Sequence, residues 1–251
     1  MKRLWEEFRI AGGFLTVFPV ADDLSGDPER LGRSMAFWPA IGLLMGLGLV
    51  AMDQALTSLI PRAVVDSLLV LTMIAITGAI HLDGIADLSD GLARGKDREG
   101  VLRIMKESRV GAIGVISLVM VLLLKYVILH NVPVQLKTQV LIFMPMAGRW
   151  TQVLLAAFNN CIRSGTRAGG EFVDYVGKRE FFIASATFAV ATLVLFALQG
   201  LVVLLIFGLV GVLLLRYFQH RLGGVTGDVL GAGNEVMEIF ALLLIHLLRH
   251  A

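Results

Sequence analysis

Apolar residues run through this chain in long blocks separated by short polar breaks. Runs able to cross the roughly 30 Å hydrocarbon core of a bilayer lie near 36–60, 64–82, 110–130, 138–158, 181–198, 201–218 and 229–248. This pattern predicts an all-α, polytopic membrane bundle of seven spans. The breaks at Pro61–Arg62 and Gln199–Gly200 are short enough to make their flanking spans antiparallel hairpins. Ahead of the first span, "MKRLWEEFRIAGGFLTVFPV" carries Glu6 and Glu7 where a signal peptide would be apolar, and it reads as a retained amphipathic helix at the interface. The segment "DREGVLRIMKESRVG" sets Val101, Leu102, Ile104 and Met105 against basic residues, which predicts a second interfacial helix along the headgroups.

Composition agrees with the pattern. Of 251 residues, 57% are hydrophobic and 17% charged, well outside the range of soluble domains. A net charge of +2 is too small for a nucleic-acid binder. The single cysteine, Cys161, rules out an intrachain disulfide framework. No repeat or inverted pair of halves is visible, so 1–251 is expected to be one membrane domain.

The distribution of charge orients it. Seventeen of the 22 lysines and arginines lie in the N-terminal segment and in the loops 83–109, 159–180 and 216–228. Three (Arg62, Lys137 and Arg249) fall on the alternate side, and Lys125 and Arg149 lie inside spans. The positive-inside asymmetry puts the N-terminus in the cytoplasm and the C-terminus outside. The three basic loops are then expected to form one cytoplasmic active-site face.

Three groups on that side could carry chemistry. In "HLDGIADLSDG", Asp83, Asp87 and Asp90 fall within ~60° of one another on a helix, so like charges share a face. Such a stripe at the cytoplasmic end of the second span needs a counter-ion, and a divalent cation with a substrate diphosphate would supply it. In "GGVTGDVLGAGNEVME", Asp228 and Glu235 share a face at the start of the last span, with Glu238 beside them. Acids are costly in a span, so they point to function. The preceding Gly223, Gly224 and Gly227 offer backbone N–H groups to an anion. Lys106, Ser108 and Arg109 add phosphate-binding groups. Arg149, about 13 Å into its span, implies either a buried carboxylate partner or a phosphate ligand, and the phosphate reading is carried forward. His81 points away from Asp83 and reads as packed, like His130, His220 and His246. Acids for metal beside cations for phosphate indicate phosphoryl or nucleotidyl transfer on an activated diphosphate.

"HLDGIADLSDG", "IMKESRVGAIG" and "GGVTGDVLGAGNEVME" resemble the signature blocks of the cobalamin synthase family, the adenosylcobinamide-GDP ribazoletransferases. "FLTVFPV", "AFWPAIGLLMGL" and Arg149 are similar to the same family, so the resemblance covers nearly the whole chain. It implies an inner-membrane enzyme, facing the cytoplasm, that joins adenosylcobinamide-GDP to α-ribazole or its 5′-phosphate and releases GMP with Mg²⁺. It further implies Asp83, Asp87, Asp90, Asp228 and Glu235 as the metal set, with Asp90 also the base on the attacking hydroxyl. Arg149 and Arg109 would balance phosphoryl charge, and Lys106, Ser108, Thr226, Gly227 and Arg149 would bind substrate. Its partners would be these small molecules and membrane lipid, with no nucleic acid and with room for a homo-oligomer. Two other readings stay open: a membrane phosphotransferase of the CDP-alcohol type and a divalent-metal transporter.

Overall fold

A computed structural model of the protein describes residues 2–20, 27–107, 109–162 and 170–248. Among them the chain is helical, and its one β-contact is an isolated parallel bridge between Cys161 and Val225. The helices are α1 (Lys2–Leu15), α2 (Pro28–Ser34), α3 (Trp38–Leu56), α4 (Arg62–Thr77), α5 (Ile80–Arg94), α6 (Arg98–Ile104), α7 (Ala112–Asn131), α8 (Val134–Ala157), α9 (Lys178–Phe196), α10 (Gln199–Leu222) and α11 (Gly227–Leu248). A 3₁₀ turn continues α2 into α3, and another covers Glu171–Tyr175.

Six of these helical stretches are long and apolar enough to cross a membrane, and a seventh span exists if the bent pair α4 and α5 is counted as one. α8 lies at the centre, with 94% of its apolar window buried, packed between α3, α11 and α9. α9 and α10 lie at the edge, each with 22% buried. Val194, Leu205 and Leu209 on these outer helices are exposed, as side chains that meet lipid should be.

The second span departs from expectation. A straight helix over 64–82 is predicted, but Gly78 and Ala79 are both left-handed (φ 58° and 60°) and α5 leaves α4 at 90°. The sixteen residues of α4 cover only about 24 Å. Asp83 therefore sits in the first turn of a new helix rather than at the end of an old one, where the helix dipole favours an anion. Much of the expected loop 83–109 is accordingly helix, and α10 runs through most of the expected loop 216–228.

The two amphipathic segments are less peripheral than expected. On α1, Ile10, Ala11 and Leu15 are buried, and Glu7 accepts from Arg179 at the start of α9 at 2.9 Å. α6 has only seven residues, and Val101, Ile104 and Met105 pack on α5.

Candidate active site

α5 and α11 cross in close contact, and Gly84 makes this possible. A Cβ there would lie 2.4 Å from the carbonyl oxygen of Asp228 and 3.0 Å from its Cα. At this separation the carboxylates of Asp83 and Asp87, one turn apart on α5, meet Asp228 in the first turn of α11. One oxygen from each lies within 4.8 Å of the others. Asp83 is exposed and the other two are half-buried, so the group opens to solvent. Three hard oxygen donors this close fit a magnesium-like cation that keeps part of its hydration for substrate oxygens.

The start of α11 is fixed locally. Val225 accepts from Ile162 and donates to the carbonyl of Asn160, while the Thr226 hydroxyl accepts from the Val229 N–H as a helix cap. Thr226 is buried, and its hydroxyl is engaged as this cap. Gly227 lies beside Gly170 in the same turn and is half-buried.

Asp90 does not join the cluster. Its carboxylate is 4% exposed and accepts from the backbone N–H groups of Gly111 and Gly114, at 3.0 Å for Gly114. These are orphan donors at the N-terminus of α7, so Asp90 caps α7 from a neighbouring helix. A carboxylate so engaged holds the start of α7 and stands apart from the three aspartates that converge.

Glu235 and Arg149 are also placed elsewhere. Two turns deeper along α11, Glu235 accepts from Lys125 of α7 at 2.6 Å, and Glu238 accepts from the same ammonium at 2.5 Å. Arg149 of α8 donates to Glu238, and the Asn234 amide donates to both glutamates. Arg149 lies about three helical turns, or roughly 15 Å, below Asp228 along α11. It is completely buried. The carboxylate-partner reading of Arg149 therefore replaces the phosphate reading, and Glu235 leaves the metal set. Among the described residues, Nε and Nη2 of Arg149 have no hydrogen-bond partner; they border a small cavity lined also by His81, Lys125 and apolar side chains.

The family model described as cobalamin-5-phosphate synthase matches residues 7–246. The chain belongs to that family. Relatives named adenosylcobinamide-GDP ribazoletransferase include one from Geotalea daltonii, 39% identical over 93% of this chain and 94% of the relative. Another, from Desulforamulus reducens, is 36% identical over 96% of each. A third, from Pseudomonas fluorescens, is 36% identical over 97% of this chain and 98% of its own length. No solved structure matches.

For this cobalamin-5-phosphate synthase family member, the remaining cations of the expected site lie on the surface. Lys106 and Arg109 are exposed in the segment between α6 and α7, with no side-chain partner among the described residues. Ser108 lies outside the described residues. Two polar features escape a reading based on site chemistry alone. One is Lys125, whose charge inside an apolar span signals a buried partner. The other lies at the far ends of α3, α4, α7 and α8. There Asp66 is fully buried and receives Arg62, Lys137 at 2.9 Å and His130 at 3.0 Å, while Arg62 also meets Asp53 at 2.7 Å. Asp66 and Lys137, each charged within or beside an apolar run, were the available signal.

Proposed function

We propose that this chain transfers the adenosylcobinamide phosphate group of adenosylcobinamide-GDP to α-ribazole or its 5′-phosphate. The observation that carries this reading is the convergence of Asp83, Asp87 and Asp228 within 4.8 Å at an open position. Family membership and the activity named for the relatives supply the substrates. The ribazole hydroxyl oxygen forms a new bond to the phosphorus on the cobinamide side. The bond between that phosphorus and the bridging oxygen breaks, GMP leaves with the electron pair, and the hydroxyl proton is released.

The three aspartates would hold Mg²⁺ at the diphosphate, and the cation would neutralise charge developing on the phosphoryl oxygens. The chain's own part is to position. Gly84 sets the separation of the carboxylates, Thr226 and Val225 fix the start of α11, and Asp90 fixes α7 behind α5. The deeper charges are paired with one another, which disfavours a transporter with acids strung along a path. The excess of basic residues on this side supports a cytoplasmic-facing site in the inner membrane.

Purified protein in detergent, given adenosylcobinamide-GDP and α-ribazole 5′-phosphate with Mg²⁺, should release GMP in proportion to cobamide formed. GMP release that ignores the acceptor, or no release at all, refutes this reading.

A further inference from the structure

His81 is the second residue of α5, two positions before Asp83, and it is buried, at 4% exposure. Gly78 and Ala79, the left-handed pair ahead of it, turn α5 away from α4 by 90°, so no continuous helix holds the first turn of α5 in place. α11 supports that turn on one side, where a Cβ on Gly231 would lie 3.2 Å from the Cα of His81. The imidazole lines the cavity that Arg149 also borders, and the charges of Arg149 and Lys125 both act on it.

The polar groups of this cavity divide into paired and unpaired. The Thr77 hydroxyl donates to the Met73 carbonyl at 2.9 Å, and Lys125 donates to both Glu235 and Glu238. Arg149 donates through Nη1 to Glu238, which leaves the Nε–Nη2 edge of its guanidinium buried and without a hydrogen-bond partner. His81 likewise has no hydrogen-bond partner among the described residues. The other walls, Met73 and Leu242 among them, are apolar and offer the guanidinium no acceptor. A buried donor left unmade is costly, and the site has room to satisfy it. The centre of a water molecule can range over about 20 Å³ of the cavity, above the roughly 10–15 Å³ that one water needs.

The Nε–H and Nη2–H bonds of a guanidinium point to the same side, so one oxygen can accept from both. A water bound there keeps two hydrogens to donate, and an imidazole nitrogen of His81 is the unpartnered acceptor that shares the cavity. We propose that Arg149 and His81 hold internal water between them, and that this water ties the first turn of α5 to α8 and makes His81 a positioning residue for Asp83. The positioning role rests on the transferase reading above, and the water site does not. α5 is then held from two sides, by backbone contact with α11 and by the water bridge to α8. Through that bridge the buried charges around Glu238 bear on the helix that carries Asp83 and Asp87. A lysine at position 149 keeps a donor for the water, because an ammonium has three.

The test uses the full-length protein as wild type, His81→Leu and His81→Gln. A density map fine enough to show ordered water should place one about 2.7–3.2 Å from Nε or Nη2 of Arg149, connected to an imidazole nitrogen of His81. Calorimetry gives the affinity for Mg²⁺, steady-state kinetics give the Mg²⁺ concentration for half-maximal turnover, and thermal melting reports the fold. His81→Leu replaces the acceptor with one more apolar wall, so the melting temperature should hold while both Mg²⁺ constants rise about fivefold, a change of about 1 kcal/mol. The amide of His81→Gln can accept from the water and should recover most of the loss. A map with no ordered water at Arg149 overturns the water site. Wild-type Mg²⁺ constants in His81→Leu, whatever its melting temperature, overturn the positioning role and leave His81 a packing residue. If the wild type releases no GMP, the transferase reading fails on its own, while the map and the calorimetry still decide the parts played by Arg149 and His81.

Discussion

Arg149 donates through Nη1 to Oε1 of Glu238, and neither side chain reaches solvent, at 0% and 1% exposure. Lys125 shares the same carboxylate, so two cations and two glutamates from α7, α8 and α11 form one buried, charge-balanced group. Removing Arg149 unbalances it. Arg149→Met should cost on the order of 3–5 kcal/mol, because carboxylate charge is left in an apolar interior. The expected result is a lower melting temperature and poor accumulation in membranes. Arg149→Lys restores the charge and should recover most of the accumulation, with turnover per folded molecule near wild type. A well-folded Arg149→Lys that binds adenosylcobinamide-GDP weakly would return this residue to the substrate.

The aspartate cluster makes the opposite demand. Asp83→Asn, Asp87→Asn and Asp228→Asn each keep the volume but remove a charged oxygen donor. Each should lower turnover about 100-fold or more, equivalent to about 2.7 kcal/mol of transition-state stabilisation, without lowering the melting temperature. Chelation by EDTA should abolish wild-type turnover, and the concentration of Mg²⁺ needed to restore it should rise in each variant. Near-normal activity in any two variants would remove the metal assignment.

Asp90 separates structure from chemistry within a single sequence motif. Asp90→Ala strands the N–H groups of Gly111 and Gly114 and should cost about 1–2 kcal/mol, as the loss of a helix cap does. Thermal melting should register the loss, while the Mg²⁺ dependence of the folded fraction should match wild type. A shifted Mg²⁺ requirement with unchanged melting would place Asp90 with the metal after all.

Gly84 tests the crossing of α5 and α11. Gly84→Ala puts a methyl group 2.4 Å from a backbone oxygen, which can be relieved only by moving one helix. Even a shift of about 1 Å at the carboxylates can cost 100-fold in rate. Turnover should fall by at least tenfold, with Mg²⁺ titration showing weakened binding. Wild-type kinetics would mean that the close approach does not set the site.

The spans were readable because an apolar run of membrane length leaves few alternatives. The break in the second was not, because Gly78 and Ala79 sit within the apolar "IAITGAI" and alanine rarely adopts positive φ. Spacing correctly grouped Asp83 with Asp87, since i and i+4 remain neighbours wherever the helix lies. It put Asp90 with them because helical phase says nothing about which backbone donors approach a face, and here the start of α7 does. Glu235 shares a face with Asp228 but lies about 10 Å deeper, where Lys125 is the nearer cation. Periodicity reports angle around a helix far better than the depth at which a partner waits. Arg149 is the same case, since a charge buried in a span announces a partner without naming it.

The buried charges around Glu238 also act on the lipid. α11 is held at mid-length by partners on α7 and α8, so the height of its N-terminal end relative to those two helices is set by ion pairs rather than by the surrounding acyl chains. Thinner or thicker bilayers are then accommodated by tilt of the outer α10, whereas α9 is tied inward by Phe188 stacked on Trp150 and Phe143 of α8. The aspartates keep their spacing while the rim of the bundle adjusts, and the reaction becomes tolerant of the membrane in which it is carried out.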